Sequence, residues 1–245
     1  MRYLGISTGF LSLGLVFSGC ARNPASKVAA NNGTAKGSAL VEVSGGKQAA
    51  EAATTLPQPL IVQVNDDQGN AVQGAMVSIR GPRDTIFDPP AGATDASGQF
   101  TTNISLGGAA GRYQLTVSTL NKQGQPVELH VEEIALGYEE ILGRELSERH
   151  CERCHDPEST PERLSNYDNL AVKPHTFNDG GTLNPMSDLD LRAIIEHGGP
   201  ALNKSPLMPP YGYTLSPAEI HALISYIRMI SDPPYRPPGT LYAQQ

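Results

Sequence analysis

The chain has 245 residues, enough for one large domain or two small ones with a connecting segment. Its net charge of -7 and pI near 5.3, with no basic stripe, argue against nucleic acid as a partner. Three cysteines are too few for a disulfide scaffold and cannot build a four-cysteine zinc site.

At the start, Arg2 precedes the apolar run "YLGISTGFLSLGLVF", too short for a membrane span, which ends in Ser18, Gly19 and Cys20. Residues 1–20 therefore read as an export signal. The close "LVFSGC" resembles the lipobox of bacterial lipoproteins, with Phe17 where that family usually has Leu. The resemblance implies that Cys20 is lipidated and becomes the first residue of the mature chain, held to a membrane and facing the periplasm or the cell surface. Ala21 stands where many lipoproteins kept in the inner membrane have Asp, which points to the outer membrane. Residues 21–58 are rich in Ala, Gly, Ser and Asn without a sustained apolar period, and read as a flexible tether.

From Leu60 the pattern turns to alternation. "LIVQVND", "AMVSIRG", "GQFTTNIS", "RYQLTVST" and "VELHVEEI" put apolar and polar residues on opposite faces, with turn signals at Asp67-Gln68-Gly69-Asn70 and Ala96-Ser97-Gly98. Short strands at this spacing make a small all-β sandwich over 59–136. "DDQGNAVQGAMVSI", "TDASGQFTTNI" and "GRYQLTV" resemble bacterial Ig-like and carboxypeptidase-regulatory-like domains. Asp66, Asp67, Asp95 and His130 can be assembled into a metal site on paper, but acids in turns ordinarily cap turns, and that reading is preferred.

At Gly137 helical spacing begins. Tyr138, Ile141, Leu142 and Leu146 form one face of a first helix. A second is expected over about 188–197, capped by Ser187 and stopped by Gly198. A third follows Ser216-Pro217-Ala218-Glu219, which reads as N-cap, N1 proline and capping-box glutamate, with Ile220, Leu223, Ile224 and Ile227 as its buried stripe.

The first helix runs into Cys151-Glu152-Arg153-Cys154-His155. A redox dithiol belongs at the start of a helix, not its end, and zinc wants further cysteines that the chain lacks after Cys154. Covalent haem remains. Two thiols at i and i+3 lie on one side of a helical turn and can each add to a haem vinyl group, while the next histidine reaches the iron.

A sixth ligand is available in "SPLMPPYGYTLSPAEI", where Met208 sits 53 residues after His155 in a loop stiffened by Pro206, Pro209 and Pro210. His175 and His197 are the alternatives, giving a bis-histidine haem. Met186 and Met229 are assigned to packing or loops, and His130, His150 and His221 to the surface or to packing. Met208 and its loop, together with the order helix, C-x-x-C-H, short helix, "MPP" and terminal helix over 137–232, resemble the class I cytochromes c. The resemblance implies an all-α cytochrome c fold with one haem c, thioether bonds at Cys151 and Cys154, His155 and Met208 as axial ligands, and a close crossing of first and last helices at Gly143 near Tyr226. Residues 233–245 then form a proline-rich tail.

Methionine ligation favours ferrous iron and fills the sixth position, so the expected function is electron transfer without catalysis. Residues 137–245 carry net charge -6 against -1 for 1–136, and Glu139, Glu140, Glu145, Glu148 and Glu152 cluster on and after the first helix. Such a cluster ordinarily is a solvated face; the sharper alternative is a steering surface for the expected partner, a redox protein with a basic docking surface. The alternative is a surface-binding, adhesion or haem-sensor protein whose β-domain engages a ligand.

Overall fold

The computed structural model describes residues 35–159 and 164–238. Cys20, the export signal, the first part of the tether and the end of the tail lie outside the described residues.

Nine strands come first: β1 (Ala39–Ser44), β2 (Ala49–Glu51), β3 (Leu60–Asn65), β4 (Met76–Arg80), β5 (Ile86–Asp88), β6 (Ala91–Ala93), β7 (Gln99–Ser105), β8 (Gly111–Leu120) and β9 (Pro126–Leu136). They form two sheets, ordered β1-β3-β7-β5 and β2-β9-β8-β4-β6. Alternation decides which side chains go inside. Leu60, Val62 and Val64 of β3 are buried with Ile104 of β7 and Leu115 and Val117 of β8, while the residues between them face outward. The β8–β9 pair keeps continuous antiparallel register from Gly111 opposite Ala135 to Leu120 opposite Pro126.

The acids of the turns act as caps. One carboxylate oxygen of Asp66 accepts from the Gln68 and Asn70 N–H groups, and Asp95 does the same for Ser97 and Gln99. These backbone donors hold both carboxyls below the usual carboxylate range. Asp67 pairs with Lys122, and no group of three or more His, Cys, Asp or Glu fit to hold a metal occurs among the described residues.

The tether reading of 21–58 needs correction over its second half. β1 pairs antiparallel with β3, β2 pairs parallel with β9, and Leu56 is buried in the sandwich core. β2 has only three residues and β1 has no buried position to set an alternation; these two gain their definition from the strands they pair with. A boundary between separate domains at residue 136 is also blurred. Leu136 ends β9 fully buried, and the next residue, Gly137, opens the first helix.

Among the described residues five α-helices follow: α1 (Tyr138–His150), α2 (Glu152–His155), α3 (Gly180–Leu183), α4 (Asp188–His197) and α5 (Pro217–Ile230). α4 starts at Ser187, whose hydroxyl accepts from the Asp190 N–H, and ends at Gly198; α5 starts at Ser216, capped in the same way through Glu219. Ile220, Leu223, Ile224 and Ile227 of α5 are buried together with Leu146 of α1 and Leu191 and Ile195 of α4. Tyr138 departs from the expected face: it is exposed. α1 and α5 pack closely and both also meet β9. Their crossing is at Gly143, where an added Cβ would lie 2.2 Å from the Ala222 carbonyl oxygen and 2.6 Å from Tyr226 Cβ. The start of the tail is docked, with the Arg228 guanidinium 4.0 Å above the Tyr235 ring.

Candidate functional site

Cys151 joins α1 to α2. Its N–H still donates to the Ser147 carbonyl at 2.8 Å, and its own carbonyl accepts from Cys154 and His155 N–H groups at 3.0 Å each. The C-x-x-C-H is thus wound as a single helical turn, which puts both thiols and the imidazole along one cleft of about 270 Å³. Both cysteines are free and partly buried. Burial pushes the Cys151 thiol up to about 12, so it sits in the cleft as a neutral group.

His155 is held by two contacts. Its Nδ1 lies 2.7 Å from the carbonyl oxygen of His175, which requires a proton on Nδ1 and leaves the Nε2 lone pair for a metal. The Phe177 ring stacks at a tilt, 4.8 Å between centroids. Burial lowers the pKa of the imidazole and so favours its neutral, ligating form.

Met208 lines the same cleft and packs against the helical core. Its loop is tied to the end of α4: Gly199 N–H donates to the Met208 carbonyl at 3.1 Å, and Tyr211 and Gly212 N–H groups donate to Ile195 and Glu196. Gly198 makes this approach possible. It has φ +81°, and a Cβ there would lie 2.8 Å from the Met208 carbonyl oxygen. The Tyr211 hydroxyl donates to the His150 carbonyl at 2.8 Å, fastening the loop to the end of α1.

The remaining walls are mainly apolar and include Leu170, Val172, Leu183, Leu191, Ile195, Leu223 and Ile227. Arg228 holds two of these segments in place, donating to the Leu183 and Met186 carbonyls and to Asp188. Met186 lines the cleft as well and packs against the same core. Of the two alternative histidines, His175 lines the cleft with its Nδ1 3.0 Å from Asp179, whereas His197 is exposed and is not part of the wall. The roles of the His175 carbonyl, Phe177 and Tyr211 were not legible in the sequence, since "HTFND" and "PYGY" carry no periodicity to mark them. Two thiols on one turn, an oriented imidazole and a thioether around an apolar cleft fit a covalently attached haem.

Comparison with known proteins adds three findings. No curated protein matches the chain. Among solved structures, the chain is similar to an intimin domain (12% identity, 42% of this chain and 48% of that one, TM-score 0.31). It is also similar to invasin, a bacterial integrin-binding protein (19%, 40% and 19%, 0.31), and to a Yersinia pseudotuberculosis adhesin (14%, 40% and 32%, 0.31). The chain spans about half the length of the first of these and less of the other two. Residues 141–227 match the family model described as cytochrome c oxidase, cbb3-type, subunit III. That stretch is accordingly similar to cytochrome c domains, a likeness that suggests covalently bound haem c and an electron-transfer role.

Proposed function

We propose that the protein is a lipid-anchored, exported electron carrier with one haem c, bound through Cys151 and Cys154 and ligated by His155 and Met208. The observation that carries this reading is that all four side chains line one apolar cleft. When bound, the haem iron supplies the one-electron couple. The protein's own share is to keep that iron still. α1 and α5 lock through Gly143, the His175 carbonyl orients His155, and the Gly198 turn with Tyr211 holds the Met208 loop. Little has to move when the charge changes, and the apolar walls exclude water.

The anchor is assigned to Cys20 and to the outer membrane on the lipobox resemblance, facing the periplasm or cell surface. The partner is assigned as a redox protein with a basic surface. Supporting it, Glu145 and Glu148 are exposed on α1, and Glu139 is half-exposed beside His221.

Met208 is tested by spectroscopy. The oxidised protein is expected to show the weak near-red sulfur-to-iron band, and Met208→His to abolish it and lower the potential with haem still attached. If His175 is the ligand, the band is missing from the wild type and Met208→His leaves the spectrum nearly unchanged.

A further inference from the structure

We infer that the β-sandwich helps to set the haem site, with Arg112 and Lys47 as positioning residues that act on His155 through Asp232 and the 175–180 loop. The inference rests on the haem reading above. His155 can keep its orientation only if the carbonyl that accepts from its Nδ1 is itself held. That carbonyl belongs to His175, at the start of a loop closed by the His175–Asp179 contact of 3.0 Å.

The loop is bound in turn to the chain just after α5. Asp232 N–H donates to the Asn178 carbonyl at 2.8 Å, and Gly180 N–H donates to the Asp232 carbonyl at 3.1 Å. The approach is close enough that a Cβ on Gly180 would lie 2.4 Å from the Pro233 carbonyl oxygen. The sandwich grips this segment from the other side. Arg112 of β8 donates from Nη2 to the Met229 carbonyl at 2.8 Å and to the Ser231 carbonyl at 2.5 Å, and its Nη1 is paired with Glu132 of β9. Lys47 Nζ lies 2.7 Å from the Asp232 carboxylate.

The two grips are unequal. Lys47 and Asp232 side chains are 76% and 58% exposed, so their ion pair contributes little by itself. Arg112 is 20% exposed and its charge meets carbonyls at the end of α5, which have no partner within the helix. Arg112 therefore carries most of the coupling. When it is lost, the loop loosens and the His155–His175 hydrogen bond weakens. The imidazole becomes a poorer donor to ferric iron, and the potential rises.

The test uses the full-length, haem-loaded protein with Arg112→Gln, Lys47→Gln and, as control, Arg80→Gln, whose partner Glu128 lies within the same sheet. Amide hydrogen exchange at Gly180 and Asp232 and the haem midpoint potential are measured together. Arg112→Gln is expected to speed exchange at both amides by about tenfold or more and to raise the potential. Lys47→Gln shifts both in the same direction by less, and Arg80→Gln shifts neither. Wild-type exchange in Arg112→Gln overturns the inference, and so does faster exchange with an unchanged potential. If Arg112→Gln does not fold, Arg112→Lys decides: it keeps the charge without the forked donors that reach two carbonyls and Glu132 together, and wild-type values in it overturn the inference. Absence of attached haem on a denaturing gel defeats the haem reading instead, while exchange in the same chains still reports whether the sandwich holds the loop.

Discussion

Glu133 is the residue whose chemistry departs most from its type. It points into the sandwich core between Val131 and Ala135 with no exposed surface; Oε2 accepts from the Gln48 N–H at 2.7 Å and Oε1 has no partner. Burial is the main cause that pushes its carboxyl up to about 8. The unfolded chain releases this proton near 4.5 and the folded chain keeps it to about 8. The folded state thus binds the extra proton between those values, and stability falls as pH rises through that window, with a slope of about 1.4 kcal/mol per pH unit from this group. Glu133→Gln is expected to flatten that slope in denaturant titrations, with a clear gain at pH 8 and little change at pH 5. An unaltered pH profile would show that the carboxyl ionises in the folded protein at ordinary values.

At the scale of elements, the crossing of α1 and α5 decides how firmly the cleft is framed. Alanine is the better helix former by about 1 kcal/mol, which alone would make Gly143→Ala stabilising. The contact of 2.2 Å with the Ala222 carbonyl oxygen works the other way, because a backbone carbonyl cannot swing aside as a flexible side chain can. Overpacking costs about 1–3 kcal/mol and is expected to win, lowering the denaturation midpoint without changing the slope. In α5 itself, Leu223→Ala removes a side chain that is 1% exposed and is expected to cost about 2–5 kcal/mol by the same measurement. Much of this level was legible: the cap at Ser216 is read with Glu219 three positions on, the cap at Ser187 from a serine just ahead of an apolar helical stripe, and β3, β4, β7, β8 and β9 from alternation. β1, β2, β5 and β6 were not: β2, β5 and β6 have three residues each and repeat too few times to show a period, and β1 buries none of its residues, so no inward-facing alternation marks it.

For the molecule as a whole, the anchor proposed at Cys20 is tested by where the protein fractionates. No helix among the described residues is long and apolar enough to cross a membrane. Cys20→Ser is therefore expected to leave an exported, haem-loaded protein that no longer fractionates with membranes. Retention in the membrane fraction would assign the attachment to an uncleaved signal or a protein partner.

The sequence by itself determined the chemistry whose parts are neighbours along the chain. Two thiols and an imidazole in Cys151–His155 are set on one helical turn by the local hydrogen bonds of that turn, so their spacing already states what they can hold. The tertiary structure alone decided which distant groups join them. Met208 and His175 face the cleft while His197 does not, and the His175 carbonyl, not any residue of the motif, orients His155. It likewise decided that Arg112 of the sandwich grips the end of α5, 117 residues further on. Local hydrogen bonds and alternation are written in contiguous residues. Contacts across such separations exist only once burial of both cores has brought their elements together.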